Sequence, residues 1–163
     1  MNKKNISIIG EIFIQNFTQQ KQIPQKQQFK TWVKAALKAN IKKVEITIRI
    51  VSKNESAQLN QKYRNKAGPT NVLSFNYPVL NEIDTVLGDL IICAHLVKKE
   101  AKAEGKTLLA HWAHLVVHGV LHLQGYDHIE LSEALSMERR EIRVLKNLGF
   151  NNPYSKGRYE ILG

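Results

Sequence analysis

The sequence predicts an α+β domain in which a small four-stranded sheet is covered by about five helices. Two patterns predict this fold: segments that alternate apolar and polar residues, and segments in which apolar residues recur every three or four positions. The 163 residues suffice for one hydrophobic core but not two, and they contain no internal repeat or linker. We therefore expect a single domain over residues 1–163.

The first predicted elements are a strand and a helix joined by a polar loop. Residues 6–14 have β character, and a Gln-rich loop containing Pro24 follows them. Residues 29–39 place apolar side chains at helical spacing, which predicts a helix that covers the sheet. These apolar residues are Phe29, Trp32, Val33, Ala36 and Leu37.

A second strand and a second helix come next. Residues 44–50 alternate apolar and polar side chains with period two, which is typical of a half-buried strand. The sequence Ser-Lys-Asn-Glu at residues 52–55 is a capping box, which predicts a helix that runs to about Arg64. We expect Gly68 and Pro69 to end this helix.

The second half of the chain contains two further strands and three helices. The strands are predicted at residues 72–75 and 86–93. The helices are predicted near residues 94–104, 107–123 and 130–148, and Gly149 is placed as the cap of the last one.

Charge is distributed unevenly along the chain. Lys and Arg number 24 against 14 Asp and Glu, a formal net charge of +10. Residues 1–66 carry fourteen basic and three acidic side chains, whereas residues 67–163 carry ten and eleven. This excess favours a polyanionic partner, either nucleic acid or an acidic membrane surface, although a solvated surface that only keeps the protein in solution has the same composition. The cationic surface is expected in the first half.

Three features favour the reduced cytoplasm. The only cysteine, Cys93, lies in an apolar run where it is expected to be a small buried residue, so no disulfide is expected. The apolar residues after Lys3 and Lys4 are interrupted by Glu11, which argues against a signal peptide. No run of about 18 uncharged apolar residues occurs, so neither a membrane span nor a membrane partner is expected.

Five of the six histidines lie between positions 111 and 128. His111, His114, His118 and His122 are spaced by three and four residues on one predicted helix, so they point within an arc of about 80°. His118 and His122 are one turn apart, with Cα atoms separated by about 6 Å, whereas His114 and His122 are about 12 Å apart. A straight helix therefore cannot bring all three of these residues to one ion.

A third ligand must come from beyond the helix. Gly125 can adopt the left-handed conformation that turns the chain back, and His128 follows it. The pattern H-x-x-x-H-x-x-G-x-x-H is the spacing by which metzincin proteases fold a third histidine onto a helical pair. We therefore predict one zinc ion per chain, bound by His118, His122 and His128, with its fourth position open as in catalytic sites.

The residue after the first predicted ligand distinguishes this motif from that of zinc proteases. Those enzymes use a glutamate there as general base, whereas this chain has Gly119. Glycine within a helix costs about 1 kcal/mol relative to alanine, so we expect another group to approach the backbone closely at this point. Peptide hydrolysis is therefore disfavoured. His111 and His114 are expected to pack or to support the ligands.

Residues 118–128, with the sequence HGVLHLQGYDH, resemble the signature H-G-x-L-H-L-x-G-Y-D-H of the YbeY family of bacterial zinc endoribonucleases. The resemblance covers about two-thirds of the chain, and the first fifty residues or so match only in general pattern. The other matching positions are Leu59-Asn60, Tyr63-Arg64, residues 69–75 with the sequence PTNVLSF, Gly88-Asp89, Gly149 and Pro153-Tyr154.

This resemblance implies a small mixed sheet packed by helices, zinc held by His118, His122 and His128, and Arg64 as the basic residue facing the substrate cleft. It implies a metal-dependent endoribonuclease domain that cleaves single-stranded RNA, matures the 3′ end of small-subunit ribosomal RNA and acts in ribosome quality control. The expected partners are ribosomal RNA and the small ribosomal subunit, with no DNA. Arg64 and His118 are the expected catalytic residues.

Two other functions stay open at this stage. The chain could be a ribosome-assembly factor that binds RNA around a structural zinc, but the open fourth position of the site argues against this. It could also be a zinc hydrolase of peptides or small molecules, which the missing glutamate and the basic first half disfavour. Attack by water and attack by the ribose 2′-hydroxyl are both open, as is the general base, for which Asp127 and Glu130 are nearby candidates.

Overall fold

A mixed four-stranded sheet and five helices form the structure, a computed structural model that describes residues 8–127 and 129–154. The predicted α+β fold is confirmed. The strands are β1 (Ile9–Asn16), β2 (Lys43–Val51), β3 (Val72–Asn76) and β4 (Thr85–Cys93). The helices are α1 (Lys26–Ala36), α2 (Lys53–Arg64), α3 (Ala94–Ala103), α4 (Leu108–Leu123) and α5 (Leu131–Asn147).

The strands lie in the order β1-β2-β4-β3 across the sheet. Strands β1, β2 and β4 are parallel, and the short edge strand β3 is antiparallel to β4. Parallel neighbours need a crossover connection, which α1 supplies between β1 and β2. Val44, Ile46, Ile48 and Ile50 of β2 are all buried, as its alternating pattern predicts. The first two residues of the strand predicted at 6–14 lie outside the described residues.

Helix α4 is the central helix of the domain and carries the histidine stripe. It packs against α1, α3 and α5 and against strands β3 and β4, so eleven of its sixteen residues are buried. Phe29 of α1 meets Trp112 of α4 edge to face, with ring centroids 5.7 Å apart. Although α4 is apolar, neither it nor any other described helix is suited by length and composition to cross a membrane. The histidines are therefore held on a helix that its neighbours constrain from several sides.

The close approach predicted at Gly119 is made by the sheet. A Cβ atom placed on Gly119 would lie 2.7 Å from Cδ2 of Leu90 on β4 and 3.3 Å from Oγ of Ser74 on β3. Gly88 has the reciprocal role on β4, since a Cβ atom there would lie 2.6 Å from Cδ2 of Leu123. These two glycines let the C-terminal half of α4 lie directly on β3 and β4, which sets the floor of the site.

One helix end differs from the prediction and another agrees with it. Helix α1 ends at Ala36 and not at residue 39, because Leu37 is already extended. Helix α2 ends at Arg64, where Asn65 takes the left-handed conformation with a φ of 54°. The predicted end at about Arg64 is therefore confirmed, and the residue that turns the chain is Asn65, which tolerates the left-handed conformation, and not Gly68 or Pro69 further along.

Candidate metal centre and substrate cleft

A cleft of about 460 Å³ opens between the end of α2, strand β3 and the C-terminal end of α4. It brings together Arg64, His118 and His122, three of the residues that the sequence predicted for the site. His128, the third predicted zinc ligand, lies outside the described residues. Further polar residues that line the cleft are Asn60, Lys66, Asn71, Ser74 and Asp127.

The two cleft histidines face each other through their outer ring nitrogens. Nε2 of His118 lies 3.0 Å from Nε2 of His122. Their inner nitrogens are held from behind: Nδ1 of His118 is 2.6 Å from Oε1 of Glu141, and Nδ1 of His122 is 2.9 Å from the carbonyl oxygen of Tyr126. The second contact exists because Gly125, with a φ of 90°, turns the chain back over the end of α4.

These contacts determine where the ring protons lie. The Tyr126 carbonyl can only accept a hydrogen bond, so Nδ1 of His122 donates to it. The Glu141 carboxylate accepts from Nδ1 of His118 in the same way. When both rings are neutral, each therefore carries its proton on Nδ1 and directs the lone pair of Nε2 to a common point. Metal-binding histidines have this arrangement, in which the other ring N–H donates to a carboxylate or a backbone carbonyl.

Glu141 is a buried carboxylate with three hydrogen-bond donors around it. Besides His118, Nε2 of His114 donates to Oε2 at 2.8 Å and the Tyr154 hydroxyl donates to the same oxygen at 2.6 Å. Burial alone raises the pKa of Glu141, but the hydrogen bonds from His114 and His118 outweigh it and hold the pKa at about 2. Burial also lowers the pKa of His114. Both shifts favour an ionised glutamate beside a neutral His114.

The donor geometry fits a zinc ion. Two nitrogens bound to zinc at about 2.0–2.1 Å and near the tetrahedral angle lie about 3.3–3.4 Å apart, and the Nε2 atoms of His118 and His122 are 3.0 Å apart. A second group of possible ligands overlaps this pair: ligand atoms of His114, His118 and Glu141 lie within 4.8 Å of one another. The described residues therefore contain a possible metal-binding cluster, with His118 common to both sets.

Arg64 lies at the rim of the cleft, at the last position of α2. Its Nη2 donates a hydrogen bond of 3.2 Å to the carbonyl oxygen of Ser74 on β3, which directs the exposed guanidinium group along the cleft wall. The loop after Arg64 is fixed to α2 by Ser56, whose hydroxyl donates to the Thr70 carbonyl at 2.9 Å and accepts from the Thr70 amide at 3.0 Å. Asn60 donates to the carbonyl of Gly68 at 2.9 Å. The arginine and its loop are thus held on the structured wall of the site.

His111 is placed away from the cleft, in a network that joins helices to the cleft loop. Its Nε2 is 2.9 Å from Oε1 of Glu100 on α3. The same oxygen accepts a hydrogen bond of 3.0 Å from Nδ2 of Asn71, a residue of the cleft wall. His111 is buried and does not line the cleft, so its contacts are those of a supporting residue.

Glu141 and Tyr154 were not predicted from the sequence as parts of the site. A signal for Glu141 was available, because it continues the apolar stripe of α5 that buries Met137, Val144 and Leu145. A carboxylate at a core position of an amphipathic helix needs buried partners. Nothing in the local pattern around Tyr154 indicates a contact with α5, since the pairing depends on how the chain returns after that helix.

The mixed sheet, the central histidine-bearing helix and the arginine at the cleft define a small α+β protein with the site of a hydrolase and a possible metal-binding cluster. Comparison with known proteins identifies the family. The family described as Endoribonuclease YbeY matches residues 8–149. The chain is 53% identical over 139 residues to Endoribonuclease YbeY from Methylococcus capsulatus, a match that covers 85% of this chain and 91% of that relative.

A solved structure has a similar fold. The chain resembles the solution structure of TM1509 from Thermotoga maritima with a TM-score of 0.55 and 25% sequence identity, over 85% of this chain and 92% of that one. The chain belongs to the YbeY family of endoribonucleases. The family resemblance and the enzyme class predicted from the sequence are both confirmed.

Proposed function

We propose that the chain is a zinc-dependent endoribonuclease that cleaves single-stranded RNA, with one zinc ion bound by His118, His122 and His128. The observation that carries the proposal is the distance of 3.0 Å between the Nε2 atoms of His118 and His122. Nδ1 of each ring is held by an oxygen acceptor, which is Glu141 for His118 and the Tyr126 carbonyl for His122. His128 enters from the sequence, because it follows the Gly125 turn at the spacing that returns a third histidine to a helical pair.

Glu141 fits better as a support for the ligands than as a ligand itself. Both of its oxygens already accept hydrogen bonds, Oε1 from His118 and Oε2 from His114 and Tyr154. Binding a metal through the set His114, His118 and Glu141 would break these short contacts inside the core. The pair formed by His118 and His122 faces the cleft instead, where substrate can reach it.

The residues of the cleft have different roles in the proposed phosphodiester cleavage. Zinc, when bound, supplies Lewis acidity that polarises a phosphoryl oxygen or lowers the pKa of a water molecule to about 7. Arg64 presents a planar group of N–H donors at the rim, which suits phosphate oxygens and stabilises charge that develops on them. Glu141 and the Tyr126 carbonyl keep the His118 and His122 rings oriented, so that little reorganisation is needed during the reaction.

RNA is the substrate that the charge distribution and the family support. The cleft wall carries Arg64 and Lys66, which belong to the basic first half of the chain. We propose that this half holds the phosphate backbone, and that the substrate is ribosomal RNA at the 3′ end of the small subunit, with a further role in ribosome quality control. The expected compartment is the cytoplasm. The domain at residues 1–163 is proposed to act as one unit.

A cleavage assay tests this proposal. Metal-replete protein is incubated with single-stranded and with structured RNA, with and without a chelator, and the product ends are identified. We expect internal cleavage of the single-stranded RNA that stops with chelator and returns with zinc. A 2′,3′-cyclic phosphate would identify the ribose 2′-hydroxyl as the attacking group, and a 5′-phosphate would identify water.

His118→Ala is the control for contaminating nuclease in that assay, and it should be inactive. Equal cleavage by the parent and His118→Ala would assign the activity to a contaminant. RNA binding without cleavage would favour the alternative of an assembly factor with a structural zinc.

A further inference from the structure

A second cavity, of about 280 Å³, lies beside the cleft on the surface of α5. It is lined by three arginines, Arg139, Arg140 and Arg143, together with Ser136 and Tyr126. We call it the arginine pocket. Tyr126 also lines the substrate cleft, so the two cavities meet at this one residue.

The arginines of this pocket are not engaged in ion pairs within the described part of the chain. In residues 8–127 and 129–154, no carboxylate oxygen lies within 4.0 Å of the three guanidinium groups. Nε of Arg140 is buried, and over the same ranges it has no hydrogen-bond partner. A buried charged donor without a partner is unfavourable, so an anionic ligand in this pocket would be stabilising.

Helix geometry explains how the pocket forms. Arg139 and Arg143 are four residues apart, so they lie on the same exposed face of α5. The opposite face of the helix is buried and presents Glu141 to α4. A further cation also lies beside this tyrosine, because Nζ of Lys38 is 4.9 Å from the centroid of the Tyr126 ring. Cations next to an aromatic ring are the pattern by which proteins hold single-stranded nucleic acid.

We propose that the arginine pocket is a second phosphate subsite, which binds the backbone of single-stranded RNA on one side of the cleaved bond. The strand would leave the cleft past Tyr126 and place a phosphate among the three guanidinium groups, whose planar donors suit phosphate oxygens. This proposal rests on the proposed function. It adds a phosphate contact within residues 67–163, whose ten basic and eleven acidic side chains give no excess of positive charge.

The test compares RNAs of two lengths on the zinc-loaded protein. Affinity is measured by fluorescence anisotropy for single-stranded RNAs of about 4 and about 16 nucleotides, with 2′-O-methyl riboses to prevent cleavage. The variant R139A/R143A removes two exposed charges from the pocket. The matched control, K98A/K99A, removes two exposed charges from α3. Cleavage of unmodified 16-nucleotide RNA is measured separately under single-turnover conditions.

We expect R139A/R143A to lower affinity for the long RNA by about tenfold and to reduce the salt dependence of binding by one to two phosphate contacts, with little effect on the short RNA. K98A/K99A should bind both RNAs nearly as the parent does. Zinc content of R139A/R143A should match that of the parent, whereas its single-turnover cleavage of the 16-nucleotide RNA at subsaturating protein should fall in step with the affinity.

Three results would overturn the subsite. The first is an unchanged affinity of R139A/R143A for the long RNA, and the second is an equal loss of affinity in K98A/K99A. The third comes from a labelled poly-glutamate peptide measured in the same way. If R139A/R143A loses affinity for this peptide but not for RNA, the pocket is assigned to an acidic protein partner. If the parent cleaves RNA while R139A/R143A binds normally, the proposed function stands and the subsite fails. If R139A/R143A loses long-RNA affinity while the parent does not cleave, the subsite stands and the proposed function fails.

Discussion

Oε1 of Glu141 lies 2.6 Å from Nδ1 of His118, and this buried contact joins the core of α5 to the cleft. Glu141 is fully buried, and the low pKa of about 2 keeps it ionised at neutral pH. The contact fixes the proton of His118 on the nitrogen that points away from the cleft, and it leaves Nε2 directed at His122. The orientation of the candidate ligand is therefore determined by a helix that does not itself line the cleft.

Replacement of Glu141 should weaken zinc binding without removing a ligand. We expect Glu141→Gln to lower zinc affinity by about 10- to 100-fold, which is the usual effect of losing a residue that orients a metal ligand. Affinity is measured by competition with a chromophoric chelator, and nitrogen NMR of the metal-free protein reports the position of the His118 ring proton. Glu133→Gln, which removes an exposed carboxylate from the same helix, should match the parent. Unchanged zinc affinity in Glu141→Gln would contradict the positioning role.

Arg64 should act on the phosphate and not on the metal. We expect Arg64→Ala to keep its fold and zinc while single-turnover cleavage at saturating protein drops by about 10²-fold or more, on the scale of losing one transition-state donor. Arg64→Lys should recover only part of the rate, because lysine lacks the planar pair of donors. Lys62→Ala, a loss of one exposed charge on the same helix, is the control. If Arg64→Ala cleaves at the parent rate while His118→Ala is inactive, the assignment of Arg64 is wrong.

RNA affinity should fall steeply with salt if the basic first half tracks the phosphate backbone. Neutralised phosphates release counterions, so three or more contacts predict a loss of about tenfold or more between 50 and 200 mM salt. Charge reversal at lysines within residues 26–66 should weaken binding to RNAs of different sequence by similar factors. An affinity that stays constant over this salt range would rule out the proposed surface.

Gly119→Ala should destabilise the protein even though alanine is the better helix former. Alanine contributes about 1 kcal/mol in helix propensity, but overpacking a core costs about 1–3 kcal/mol. The new methyl group would lie 2.7 Å from Cδ2 of Leu90, which is fully buried and has little room to move. Urea denaturation should show a lower free energy of unfolding, and the loss should disappear in a Leu90→Ala background. A Gly119→Ala protein as stable as the parent would show that α4 and the sheet adjust freely.

Much of the fold could be predicted because its elements have strong local signals. The alternation in β2, the apolar stripe of α1 and the capping box at Ser52 are each properties of short segments, and all three elements are present. The end of α1 was placed three residues too late, whereas the end of α2 at about Arg64 was predicted correctly. The position of a helix end depends on which compatible residue comes first, and a propensity scale does not determine this.

The site was predictable only where its residues are close in sequence. The spacing of His118, His122 and the Gly125 turn indicates convergence, since one helical turn and one reversal connect them. The role of Glu141 depends on how α5 docks on α4, which no local pattern specifies. Arg64 was placed through the family resemblance, and its position beside the histidines results from the pairing of β3 with β4.

The zinc content of two variants tests the central claim most directly. His122→Ala removes a proposed ligand, whereas His114→Gln removes a ring from the alternative set of His114, His118 and Glu141 while keeping an N–H donor for the glutamate. Elemental analysis after loading and desalting should give about one zinc per chain for the parent, for His114→Gln and for His111→Ala, and none for His122→Ala. Zinc retained by His122→Ala and lost from His114→Gln would contradict the account and assign the metal to the buried set.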